Sequence, residues 1–96
     1  MIISILSALA EPTRLNAIRL LADGDKHCVC ELMKLLRATQ SRMSRHMQVL
    51  KKAGLGTDRR DAQWVRYRLN PDMPHNVAKL IEMALTVETE QERVAA

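Results

Sequence analysis

The apolar period of this 96-residue chain changes at Gly54, and few folds accommodate that change. Before it, Met43, Met47 and Leu50 recur at i, i+4 and i+7, along one face of a helix that runs from about residue 40 to 52. After it, "LGTDRRDAQWVRYRLN" alternates, with Trp64, Arg66 and Arg68 facing one way and Val65, Tyr67 and Leu69 the other. "RRDAQ" is then a charged tip between two short strands. A helix therefore hands over directly to a basic hairpin. A further helical stretch, "HCVCELMKLLR", ends about three residues before the first, with Leu32, Leu35 and Leu36 as its apolar stripe. Thr39 or Ser41 can cap the later helix, and Gly54 ends it.

Two helices so spaced fit a helix-turn-helix or an ordinary helical hairpin. The basic hairpin behind them favours the first. The fold class expected is α+β, mainly helical: a winged helix-turn-helix with a two-stranded β-hairpin wing, one domain over residues 1–96. Upstream, an apolar stretch over roughly residues 3–10 precedes a helix opened by Pro12 and closed by Gly24. Downstream, Pro74 can open a last helix whose stripe is Val77, Leu80, Ile81, Ala84 and Leu85. That stripe is wide for so small a monomer. With the apolar start it predicts a dimer interface, in keeping with the two-fold symmetry of palindromic operators.

Charge concentrates where the motif lies. Residues 1–36 carry four basic and four acidic side chains, 37–68 nine and two, and 69–96 two and five. A central +7 block predicts a polyanion partner, double-stranded DNA. On the exposed face of the later helix stand Gln40, Arg42, Ser44, Arg45, Gln48 and Lys51. Arg59, Arg60 and Arg66 of the hairpin can reach phosphates or a minor groove. The start lacks a basic region before its apolar run, and no stretch approaches the roughly 20 apolar residues of a spanning helix. A cytoplasmic protein without a membrane is expected. Three glycines form no phosphate cradle, and no nucleophile–base pair is legible, so an enzyme is not expected.

Both cysteines, Cys28 and Cys30, fall in "HCVCELM". On a regular helix, residues i and i+2 point about 200° apart, but on an extended segment they share a face. Joint capture of one ligand thus requires residues 27–30 to be non-helical, or the helix start to unwind. Unwinding would strain the first motif helix and shift the second, an inducer-driven switch. Two thiolates suit soft ions, whereas closed zinc sites take four protein ligands. Trivalent arsenic or antimony accepts two or three sulfurs. Inert core cysteines in a constitutive DNA-binding module, or a thiol-redox sensor, are the alternatives.

"CVCEL", "SRMSRHMQVLKKAGL" and "WVRYRLNP", with "LSALAEPTRLNAIRLL" ahead of them, resemble the ArsR/SmtB family of bacterial winged-helix repressors over roughly residues 6–71. The resemblance implies a homodimer that represses an operon and leaves DNA when an inducer binds. With Cys-Val-Cys at the start of the first motif helix and no N-terminal cysteine, it implies arsenite or antimonite as inducer at Cys28 and Cys30. Ser41, Arg42, Ser44, Arg45 and His46 match the family's "S-x-x-SRH" core of the reading helix, where His46 is equally a packing residue. The family's third thiol position is occupied here by Met33, which leaves water, a small thiol or His27 to complete the site. The family's interhelical zinc site is not reproduced, and Asp72, His75 and Glu82 are expected as surface residues. Gly56 is expected to loosen the first wing strand.

Overall fold

The computed structural model describes residues 1–95, with side chains described as far as Val87. Five helices and three strands follow one another as α1 (Ile2–Leu9), α2 (Pro12–Leu21), β1 (His27–Cys28), α3 (Val29–Leu36), α4 (Gln40–Lys52), β2 (Gly56–Asp61), β3 (Trp64–Leu69) and α5 (His75–Ala95). The expected class holds, with one addition. The wing is a three-stranded antiparallel sheet in the order β1-β3-β2, because His27 and Cys28 pair with Tyr67 and Arg66.

Local chemistry sets the boundaries. Proline occupies the first turn of α2, where its missing N–H costs nothing, and Glu11 caps that helix by accepting from Arg14 N at 2.8 Å. Thr39 caps α4 by accepting from Arg42 N at 3.3 Å. Between α3 and α4, Arg37 takes the left-handed conformation at φ 54° and the chain reverses in three residues. Gly54, at φ 83°, turns the chain out of α4 into the sheet. Gly56 opens β2 in register with Leu69, and all six residues of that strand pair, so the strand is not loosened there.

The core is aliphatic. Ile18, Leu21, Leu32, Met43, Met47, Leu50 and Leu55 are fully buried, and Tyr67 and Ile81 close the cluster from the sheet and from α5. Burial of each such side chain is worth about 1.5–3 kcal/mol against exposure. Met43, Met47 and Leu50 are what fix the rotation of α4 about its axis. Leu35 departs from its expected stripe. It is 55% exposed, while Leu32 and Leu36 pack inward. Its position, three residues after Leu32 and one before Leu36, lies at the rim of the buried arc. Among the described residues no helix is long and apolar enough to cross a membrane.

The tip of the wing turns in two residues, Ala62 and Gln63, and Ala62 sits at φ 58°. An L-residue with a Cβ pays about 1–2 kcal/mol for that conformation, and glycine does not. Ala62→Gly should therefore raise the stability of the protein by about 0.5–1 kcal/mol once glycine's greater backbone entropy is subtracted. Urea unfolding of the two proteins measures it. A loss of stability would show that the turn is not held in this conformation.

Candidate nucleic-acid interface and thiol site

With one face of α4 fixed in the core, the other is presented to solvent. Gln40, Ser41, Arg42 and Arg45 are exposed and Ser44 is half-buried. These residues lie in the first turn and a half of the helix, next to backbone N–H groups that carry partial positive charge. His46 turns elsewhere. Its Nδ1 lies 3.2 Å from Arg14 Nη1 and 3.8 Å from Glu11 Oε2. Arg14 also donates through Nε to the Ala8 carbonyl at 2.7 Å and through Nη2 to the Ser7 carbonyl at 3.2 Å. One guanidinium thereby ties the end of α1, the start of α2 and the middle of α4 together. Of the two roles open to His46, the structure supplies the packing one.

The hairpin places Arg59 and Arg60 on the surface near its tip, and Arg59 stands directly opposite Arg66. Lys51, in the last turn of α4, reaches Asp58 of β2 at 2.9 Å. Both partners are partly exposed, so the pair contributes at most about 1 kcal/mol and mainly orients helix against wing. The predicted alternation of β3 is present: Tyr67 is buried, and Arg66 and Arg68 line the outer face with Lys26, Thr57 and Arg59. Arg14, Lys26 and Arg68 were not among the candidate site residues. The alternation of β3 already puts Arg68 on the face of Arg66, whereas a cation in the first turn of a helix or in a loop, such as Arg14 or Lys26, has no sequence signature that separates anchoring from solvation.

At the thiol pair the structure corrects the helix-unwinding expectation. Cys28 is the N-cap of α3, extended at φ −67° and ψ 142°, and Cys30 is two residues on, within the helix. An extended cap swings its side chain over the first turn, so Cys28 Sγ accepts from Cys30 N at 3.4 Å and the two sulfurs meet. Their Cα atoms are 5.2 Å apart, inside the span that a disulfide takes. The two sulfurs are paired as a disulfide with the start of α3 helical from Val29, so bringing them together needs no unwinding of the helix. Cys30 is exposed and Cys28 half-buried, so the pair is reachable. Met33 lies one turn beyond Cys30 and packs toward the core.

His27, beside the pair, is not free to serve as a ligand. Its Nε2 lies 2.9 Å from Asp23 Oδ2 and its Nδ1 3.0 Å from Glu31 Oε2. The hydrogen bond to Asp23 is the main cause that raises the imidazole above its ordinary value, against some loss of solvation. The same bond lowers Asp23. Asp72, His75 and Glu82 are exposed, and among the described residues no three His, Cys, Asp or Glu side chains converge as a metal site.

The raised imidazole adds stability in full below about pH 6.5, lost as the pH rises through its folded value; the lowered carboxyl adds stability above about pH 4, lost as the pH falls. The clamp is strongest between those limits. His27→Gln should flatten the decline in stability between about pH 6 and 8, measured by thermal unfolding in matched buffers; an unchanged profile would show that the clamp does not form.

Comparisons place this geometry among known proteins. Residues 11–55 match the bacterial regulatory proteins of the arsR family. The arsenical resistance operon repressor of Escherichia coli K12 is 40% identical over 98% of this chain and 79% of its own length. In structure, HlyU of Vibrio cholerae superposes with a TM-score of 0.76 at 32% identity, over 88% of each chain. A homodimeric winged helix-turn-helix DNA-binding domain from Mycobacterium bovis superposes with a TM-score of 0.77 at 27% identity, over 93% of this chain and 79% of that one.

Proposed function

Because this chain belongs to the arsR family of bacterial regulatory proteins and is a winged-helix transcriptional repressor, we propose that it represses an arsenical-resistance operon and leaves its operator when arsenite or antimonite is captured by Cys28 and Cys30. The carrying observation is the meeting of the two sulfurs at the N-cap of α3, accessible and in the same sheet as the wing. The 40% identity to an arsenical repressor supports the same inducer class.

In this reading the whole chain acts as one DNA-binding domain in the cytoplasm. α4 enters the major groove, where Gln40, Arg42 and Arg45 meet base edges and Ser41 and Ser44 meet phosphates. Arg59, Arg60 and Arg66 of the wing contact the backbone or the minor groove, and His46, with Arg14, holds the pitch of α4. The active species is a homodimer. Ile2, Ile3, Met83 and Val87 are more than half exposed on α1 and α5, and the Mycobacterium bovis neighbour is a homodimer. Induction requires a conformation with both sulfurs engaged to have less affinity for DNA than the free one. The ladder from Cys28 to Arg66 is the shortest route from thiol to wing.

Cys28→Ser and Cys30→Ser should each bind operator as the parent does and fail to release it with arsenite, by fluorescence anisotropy at fixed salt. Full release from either variant would remove the site. Arg45→Ala should cost about 1–3 kcal/mol of operator affinity and relax base preference, whereas Arg60→Ala should lower the salt slope by about 0.9 with little change in preference. The same loss of preference from both would show that α4 is not the reading element.

The sulfur pairing within one chain favours a second reading, a thiol-redox switch. Peroxide under metal-free conditions separates the two. Release of operator by peroxide, with no response to arsenite, would establish the redox reading.

A further inference from the structure

The outer face of the sheet carries more cationic charge than its fold needs. Lys26, Arg59, Arg66 and Arg68 line a cleft of about 230 Å³ with Thr57, Asp58, Pro71 and Asp72. Arg59 and Arg66 are directly opposite each other, a like-charge pairing that costs stability in a sheet. The carboxylates offset the set only in part: Asp72 is the one acid of the lining with no cation partner among the described residues, against four cations. Asp58 is engaged by Lys51, and Asp61 stands 3.6 Å from Arg66 Nε. Arg68 Nε is shielded from solvent with no hydrogen-bond partner among the described residues. Such an arrangement awaits an anion.

Cys28 is the register partner of Arg66, which lines the cleft, and Lys26 of the lining is two residues before Cys28. Arg68 is two residues along β3 from Arg66, about 7 Å at strand rise. Trivalent arsenic has three valences to fill. This chain has only two cysteines, and a thioether such as Met33 has no proton to exchange for an arsenic-bound hydroxide.

Resting on the arsenite reading above, we propose that the cleft receives a small anionic thiol of the glutathione class, whose sulfur completes a three-sulfur arsenite site with Cys28 and Cys30 while its carboxylates are held by Lys26 and Arg68. The chemistry balances without a redox change. Two cysteine thiols and one small thiol each form a sulfur–arsenic bond, three arsenic–hydroxyl bonds break, and the three thiol protons leave with the hydroxyls as water. Arsenic remains trivalent.

The test titrates the reduced full-length protein with arsenite in glutathione or in the neutral 2-mercaptoethanol at equal thiolate concentration. The readouts are Trp64 fluorescence and native mass spectrometry. Glutathione should tighten arsenite binding at least about tenfold over the neutral thiol (about 1.4 kcal/mol), with a protein–arsenic–glutathione species in the spectrum. The double variant Lys26→Gln, Arg68→Gln should lose that preference and keep the parent's arsenite affinity in 2-mercaptoethanol. Equal affinity in the two thiols, or a preference that survives in the double variant, would overturn the inference and leave the arsenite reading intact. Weakened operator binding by the double variant, with the glutathione preference intact, would identify the cleft as a phosphate clamp instead. Absence of arsenite binding in both thiols would sink the arsenite reading and this inference with it.

Discussion

Two residues of backbone pairing hold this molecule's parts in one mechanical unit. His27 and Cys28 form the short strand that joins β3, and without that ladder the thiol pair would sit on a loop with no link to the wing. With it, Cys28 is at once a sheet residue, the cap of α3 and half of a candidate ligand pair. The His27 clamp reinforces the same point from the side, since Asp23 comes from the loop before β1 and Glu31 from the first turn of α3. In the proposed switch, a change at the sulfurs reaches the wing through the β1–β3 ladder and α3 through its cap.

The second constraint is the seating of α4. Its buried methionines and Leu50 set rotation, and Arg14 sets pitch by gripping His46 together with two carbonyls of α1. The exposed apolar residues of α1 lie on the element that Arg14 grips. Association of two copies through α1 and α5 would thus fix the relative placement of two reading helices through the same guanidinium that orients each one. Dimer spacing and helix pitch then share a part, which suits an operator whose half-sites must be met together.

Much of this was legible in the residues, for identifiable reasons. The period change at Gly54, the cap at Thr39 and the alternation of Trp64 to Leu69 are local signals, and local signals survive translation into structure. β1 was not legible, because two residues have no period and their partners lie 40 and 38 positions away in sequence. The convergence of the thiols was hidden for the same reason. Spacing alone offers helix or strand, whereas Cys28 is extended and Cys30 helical, a junction that residue counts do not describe. Arg14 and the outward turn of Leu35 depend on which neighbours arrive in space, and no single-chain pattern reports that.

In the proposed switch, sulfur engagement and DNA engagement compete for one set of conformations. Linkage makes that claim reciprocal: if the inducer weakens operator binding by some factor, operator must weaken inducer binding by the same factor. The most direct measurement is the affinity of arsenite for the free protein and for the protein saturated with operator, under one buffer and one salt. A lower affinity in the operator complex, by the ratio that arsenite imposes on operator affinity, is the predicted result. Equal affinity in the two states would show that the two engagements do not compete.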